Sequence, residues 1–548
     1  MYIKDLKMKN VIVCLLFFCV SISLSAGNWT WAKSLDAAEV RAWDMASSPF
    51  CDALWVAGQF SETMNFMGQE YLALGEPDAY VAKYSLAGEE QWFRSFGSPE
   101  EDVCFSVATG YNDWGNCFFT GYFNGTMSVE GIELVSNGSW DVFYGKLDAD
   151  GNLQWLKKFG GALYDMGYGM AVDSEDYFVI TGWFADSIDF GNGIILESYG
   201  GSDMFLARFD PQGNCLWARH GGGIGVDYGF KVDVGLDGKI YATGTSSVGA
   251  DFDGLTPSQN GMFLAVYDVD GTILRLTSAK NANPINISVS KQSESESRVL
   301  LTGRVTGSAI FDGVTYSSMD DSDDIFLAEY DFEENLWSNV QIIGGPGSDK
   351  GRAVFVHDVF GYSLAASFEE ELYYQGLEAS SEGSWDCLLI REFDEPAMTW
   401  FGSQNTDVIA DLLRYDAFRE YSCGWYCGEM NLGGVTLNSG SDFIQSGFVA
   451  CYDFSASSVN AEFLPAPSSL FCYPNPFGET LYIQTKLGEA QTLRVFNLKG
   501  QKVKTLQPQG KNNWHWDGRN ESGSKCPPGV YIISGEKGLG VRKVLLAP

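Results

Sequence analysis

The sequence predicts an all-β protein: a seven-bladed β-propeller followed by a small C-terminal β-sandwich. Three observations lead there. Tryptophan returns at Trp31, Trp92, Trp155, Trp217, Trp337 and Trp400, at intervals of about 62 residues once Arg275 is placed in the missing slot. Each interval holds four short β-prone runs joined by Gly, Asp and Asn turns, with weak helical periodicity. The charge then changes sign near residue 470, which marks a second domain.

The chain begins with three lysines, an apolar run from Val11 to Ile22 and small residues up to Ala26. This is the pattern of a secretory signal peptide over 1–26, and the run is shorter than the roughly 20 residues a membrane span needs. No later segment is apolar enough to span, so no transmembrane segment is expected in the mature chain. The net charge is −36. Residues 471–548 hold 11 Lys and Arg against 5 Asp and Glu, so residues 27–470 carry about −44. Such a surface repels phosphate backbones, and nucleic acid is excluded as a partner.

Twelve cysteines are present, and Cys14 and Cys19 leave with the signal peptide. In an exported chain the other ten are able to form disulfides. Cys472 and Cys526 are the two in the basic tail, and both a bridge and two buried thiols fit them. Cys423 and Cys427 have a three-residue gap, not the two of a redox motif, and read as packing cysteines.

The repeat covers 27–456. One marker is a Gly closing a short β-run, at Gly58, Gly121, Gly182, Gly244, Gly303 and Gly424, with Ala366 in the sixth copy. Another is an Asp opening an apolar run, at Asp78, Asp141, Asp203, Asp324 and Asp386, with Gly261 and Ser446 in the other copies. Asp102, Asp165, Asp349 and Asp407 each follow a Gly by five residues. Carboxylates that recur at fixed phase are read as turn caps.

The stretch DADGNLQW, 148–155, resembles the start of a calcium loop. An EF-hand loop needs its Gly at position six and a Glu at twelve. Here Gly151 is fourth and Phe159 twelfth, and a sister copy has Ser85 and Ala87 in place of Asp148 and Asp150. The common element is a hairpin turn, and no metal ligands are assigned. The recurrent Trp is read as packing between blades, since one four-stranded sheet covers neither face alone. The first Trp strand is expected to complete the last blade beside residues 447–453, closing the ring with both ends of the chain.

These residues resemble the bacterial seven-bladed propeller repeat family, known by TG, DxFxAxYDxxGxxxW and a following GG. The fifth copy, 275–336, departs: it lacks the Trp and the Gly pair and carries KQSESES. Residues 457–470 are a Ser/Ala/Pro linker. The tail, 471–548, is a small Ig-like β-sandwich in expectation. Its YPNPF at 473–477, WDG, PPGVY and VRKVLL resemble the C-terminal sorting domain of type IX secretion substrates. That resemblance implies passage across a bacterial outer membrane and partnership with the type IX machinery, then release or surface attachment. The final AP departs from the basic ending common there.

No GxSxG, HExxH, Walker or dinucleotide fingerprint occurs in a suitable context. His220, His357 and His515 lie in different units, so no zinc site is assigned. GGGIG at 221–225 is a turn, and the acidic runs at 320–324 and 369–372 are loops. No catalytic, cofactor-binding or metal residues, and no cofactor, are assigned. Trp140, Trp183, Trp385 and Trp425 are the aromatics able to stack on sugars. The resulting expectation is a secreted, cell-surface-associated binding or scaffold module with an extracellular glycan or protein ligand. The alternative is a carbohydrate-active enzyme, a glycoside hydrolase or lyase, built on a propeller.

Overall fold

Strand pairing divides the chain from 28 to 454 into seven four-stranded antiparallel units arranged as a closed ring. The computed structural model describes residues 28–48, 53–111, 115–290, 298–357, 361–392, 396–416, 418–454, 470–473, 477–478, 480–485, 492–497, 502–508, 513–534 and 541–546. The signal peptide, the KQSESES segment, Cys51 and nearly all of the linker lie outside these residues.

The units span 39–96, 103–159, 165–222, 228–280, 282–343, 350–401 and 408–453 with 28–35. We call their strands a to d from the axis outward. Unit 2 is typical: Val103–Thr109, Cys117–Val129, Ile132–Leu147 and Leu153–Phe159, in that order across the sheet. In unit 7 strand d is Asn28–Leu35, which pairs antiparallel with Gln445–Asp453 and sets Trp31 opposite Cys451. The first described strand therefore closes the ring, as the phase of the repeat predicts.

Each marker of the repeat has a physical cause. Strand a carries a β-bulge in every unit, for example between Cys104 and Ser106. The bulge drives a strand-a carbonyl toward strand b. A Cβ on Gly58, Gly121, Gly182, Gly244, Gly303 or Gly424 would sit 1.8–2.1 Å from that oxygen, which favours Gly in these six units, while unit 6 accommodates Ala366 at the same place. The buried aspartates close the loops at one end of the ring. Asp102 accepts from the Ser98 amide, Asp165 from Gly161 and Asp349 from Gly345 (2.9 Å), in each case four residues back. Asp141 does the same for Asn137 (3.0 Å) and Asp203 for Tyr199 (2.7 Å). The Gly closing strand d packs against the carboxylate of its own unit: a Cβ on Gly160 would lie 2.5 Å from Asp141 Cγ.

The Trp positions join units, with two exceptions. Trp31, Trp92 and Trp217 donate through Nε1 to Leu86, Ala149 and Val269 carbonyls in the c–d turn of the next unit, at 3.1, 3.1 and 2.9 Å. Trp155 lies over the turn at Gly213. In the worn slot Arg275 lies 4.8 Å over Phe332 of the following turn. Trp337 packs inside its own unit on Phe311 and Tyr330. Trp400 corrects the expectation of buried packing, for it is 42% exposed. Its neighbour is unit 7, where strand d comes from the other end of the chain, so no c–d turn exists for it to cover.

The wear in the fifth copy is also explained. Units 4 and 5 share one continuous strand, Ile273–Val289, whose first half pairs with Gly261–Tyr267 and whose second half pairs with Val299–Phe311. With no loop between the units, no amide there needs a carboxylate cap, and Ala282 stands where other copies have Asp.

The tail forms two sheets, Leu470–Tyr473, Leu481–Thr485 and Asn513–Trp516 in one, and four strands between Leu493 and Leu546 in the other. Their shared core holds Trp514, Trp516, Leu481, Ile483, Val495 and Ile533. Cys472 and Cys526 are buried thiols in that core, as Cys423 and Cys427 are in the ring. Among the described residues no helix is long and apolar enough to cross a membrane.

Candidate functional site

A bulge aims its extra residue away from the ladder. Here all seven bulges aim it at the axis. The residues are Trp43, Phe105, Tyr168, Phe230, Ile285, Arg352 and Ala410. All seven are half-buried, six of them between buried neighbours, and all seven line one cavity of about 310 Å³ in the channel. They sit near the start of strand a, at the end of the ring that also carries the b–c hairpins.

The ring of seven is not symmetric. Units 7 and 1–4 supply an aromatic arc. Trp425 meets Trp43 edge-on at 4.8 Å, Trp43 meets Phe105 at 5.5 Å, and Phe105 stacks on Tyr168 at 4.5 Å and 15°. Tyr168 continues to Phe230 at 6.0 Å. Trp140 and Trp183 extend this arc outward through Tyr122 and Tyr228. Units 5 and 6 supply a polar arc of Asn283, Asn286 and Arg352. Trp385 belongs to that side, with Lys350 Nζ 4.3 Å from its ring centre.

The floor is a buried charge cluster. Lys231 of unit 4 crosses the channel to Asp44 of unit 1, Nζ to Oδ1 2.6 Å. The other Asp44 oxygen accepts from Ser106 Oγ (2.6 Å) and the Val107 amide (2.9 Å), and Asp411 accepts from the Met45 amide (3.0 Å). Burial, then the Asp44 charge, pushes Asp411 up to about 8. Burial alone would lower the Lys231 pKa, but the two carboxylates outweigh it and hold it above the ordinary lysine value. These acids are consumed in clamping units 7, 1, 2 and 4 together.

A second buried polar group resembles a nucleophilic triad and is not one. His357 Nε2 lies 2.8 Å from Ser363 Oγ, but the serine hydroxyl donates to Glu420. Glu420 in turn accepts from Arg391 Nε at 2.7 Å. A catalytic serine needs the imidazole between itself and the acid. Here the serine is in the middle, and burial with Arg414 nearby lowers His357 to about 2, so it is neutral.

The calcium-like turn is closed on itself. Asp148 accepts from the Asp150 and Asn152 amides (3.0 and 2.9 Å) and from the Asn152 and Gln154 side chains. In the 320–324 run Asp323 pairs with Arg304 (2.7 Å) and Asp324 caps the Met319 amide (2.7 Å). Among the described residues no group of three or more His, Cys, Asp or Glu side chains is placed to hold a metal ion.

Sequence reasoning named Trp140, Trp183, Trp385 and Trp425 but missed the seven bulge residues. A signal existed. Phe105, Tyr168, Phe230, Arg352 and Ala410 each stand three residues after a buried loop-capping Asp, at 102, 165, 227, 349 and 407.

Residues 472–546 match the family described as the secretion system C-terminal sorting domain. An uncharacterized WD repeat-containing protein of Acanthamoeba polyphaga mimivirus is 26% identical over 120 residues, 21% of this chain, and the match spans only 9% of that protein. Among solved structures, the Pan2 WD40 domain of Neurospora crassa is similar at 8% identity and a TM-score of 0.42, over 80% of this chain and 98% of that one. The Dos1 propeller is similar at 9% identity and 0.38, over 78% and 94%. The chain is thus an all-β propeller protein that ends in a secretion-system C-terminal sorting domain.

Proposed function

We propose that this protein is a secreted, cell-surface-associated bacterial binding module, exported through the type IX system. In this reading residues 27–456 form the ligand-binding ring, 457–470 the linker and 471–548 the address. The observation that carries it is the aromatic arc: seven bulges present their extra residues to one cavity, and four adjacent ones are Trp43, Phe105, Tyr168 and Phe230. Half-exposed aromatic faces held by a rigid scaffold are ligand chemistry, because burial against a ligand is the way left to remove them from water. The acids of the cavity floor are engaged by amides and Lys231, which favours capture over hydrolysis.

The test is a glycan array with product detection, run on the wild type and on the F105A/Y168A double variant. Retention of one glycan class by the wild type, lost in the variant and without cleavage, is expected. Cleavage products would instead support the enzyme alternative, and retention unchanged in the variant would remove the cavity from the account. For export, deletion of 471–548 is expected to leave the protein in the periplasm on cell fractionation.

A further inference from the structure

We propose that the cavity takes an anionic sugar ring, its ring face against the aromatic arc and its carboxylate or sulfate on the Arg352 guanidinium. This rests on the cavity being the ligand site, and it names the ligand's chemistry.

The charge distribution points there. In a ring domain of about −44, units 5 and 6 gather Arg304, Lys350 and Arg352 on one side of the channel. Arg304 is neutralised by Asp323 at 2.7 Å, and Lys350 lies 3.8 Å from the same carboxylate. One acid thus serves two cations. Burial, followed by the charges of Arg304 and Arg352, lowers the Lys350 pKa. Arg352 itself forms no ion pair among the described residues, and its Nε is buried without a hydrogen-bond partner. Leaving a buried donor unmade costs about 1–3 kcal/mol, more for a charged group. A ligand acceptor removes that penalty, and a planar guanidinium suits a two-oxygen anion.

The rest of the wall selects the ring. Trp43, Phe105, Tyr168 and Phe230 offer apolar surface on one side. Opposite, Asn283 and Asn286 offer carboxamides, and the Asn286 oxygen makes only a 3.5 Å contact with the Val354 amide. A sugar presents apolar faces and hydroxyl edges in that arrangement. The volume of about 310 Å³ is at the low end for small-molecule sites. It admits a terminal ring, whereas a helix about 10–12 Å across is too wide.

Calorimetry on the full chain tests this with three probes of equal length: trigalacturonate, a sulfated galactose trimer and neutral galactotriose. At least one anionic probe should bind roughly tenfold or more tighter than the neutral one, with the advantage shrinking as salt rises. Which one it is separates carboxylate from sulfate. R352Q should abolish that advantage, so that anionic and neutral probes bind alike, and keep or raise the thermal midpoint, since it removes a buried charge that has no ion pair. Equal affinity for all three, or an advantage that survives R352Q, overturns the anionic ligand while the cavity reading stands. Binding by none of the three overturns the anionic sugar, and array retention that is unchanged in F105A/Y168A overturns both.

Discussion

The indole of Trp92 donates to the Ala149 carbonyl 3.1 Å away in the next unit, and the same ring leaves no room for a side chain on Gly151. Two markers 59 positions apart in the sequence are one contact in space. Gly151 has φ of +80°, and a Cβ there would lie 2.7 Å from the Trp92 ring. G151A should cost about 2–3 kcal/mol, and W92A about 2–4 kcal/mol. Because they share a contact, the double variant should lose less than the sum by about 1 kcal/mol or more. Denaturant unfolding of the four proteins measures this, and strict additivity would show that the units are not coupled here.

The buried loop-capping carboxylates should make the ring more stable in mild acid than at pH 8. Burial raises Asp102 and Asp349 to about 8 and Asp165 and Asp407 to about 7, with a neighbouring aspartate adding to each shift. Folded values above the unfolded one mean that the folded state binds more protons in between. Stability is then fully present below about pH 4 and is lost as pH rises through 7 to 8. The second oxygen of Asp165 is buried without a hydrogen-bond partner, which adds to the cost of its charged form. The urea midpoint should fall from pH 5 to pH 8, and D165N should flatten part of that slope. A midpoint that rises over this range would contradict the assignment.

Lys231 should be costly to remove. K231M leaves Asp44 and Asp411 buried without their cation, which should cost about 3–5 kcal/mol at pH 8. At pH 5, below the Asp411 value of about 8, that carboxyl is protonated, and the loss should be smaller. Equal losses at both pH values would argue that Lys231 contributes through its packed chain rather than its charge.

Cys472 and Cys526 should be thiols in the secreted protein. Both are buried in the sandwich core and neither is in a disulfide. Denaturing alkylation without reductant, followed by peptide mass analysis, should find both modified. Recovery of a linked peptide pair would overturn this.

What recurs in every unit was legible in the sequence, because a fixed phase signals a shared contact: the b-strand Gly beneath a bulge, the Asp capping a loop, the Trp over a turn. Cys472 and Cys526 could not be decided, since spacing does not report which way two side chains face. The cavity was hidden for a different reason. Phe105, Tyr168, Phe230 and Arg352 share a phase but not a residue type, so a search for repeated identities passes over them. The site is made where the copies differ, and its polar side falls in units 5 and 6, the first of which is the most altered copy. Trp400 misled because its neighbour lacks the turn that gives the other copies their partner.

The pairing of Asn28–Leu35 with Gln445–Asp453 has a bearing on the order of events during export. The outermost strand of the final unit is among the earliest parts of the chain, and it waits as a loose hem until its match arrives. The clasp snaps shut only when the stretch just ahead of the sorting tail has been delivered. Completion of the sealed circle therefore needs residues 445–453, and a chain that stops before them is left open, with bare edges at both margins of the gap.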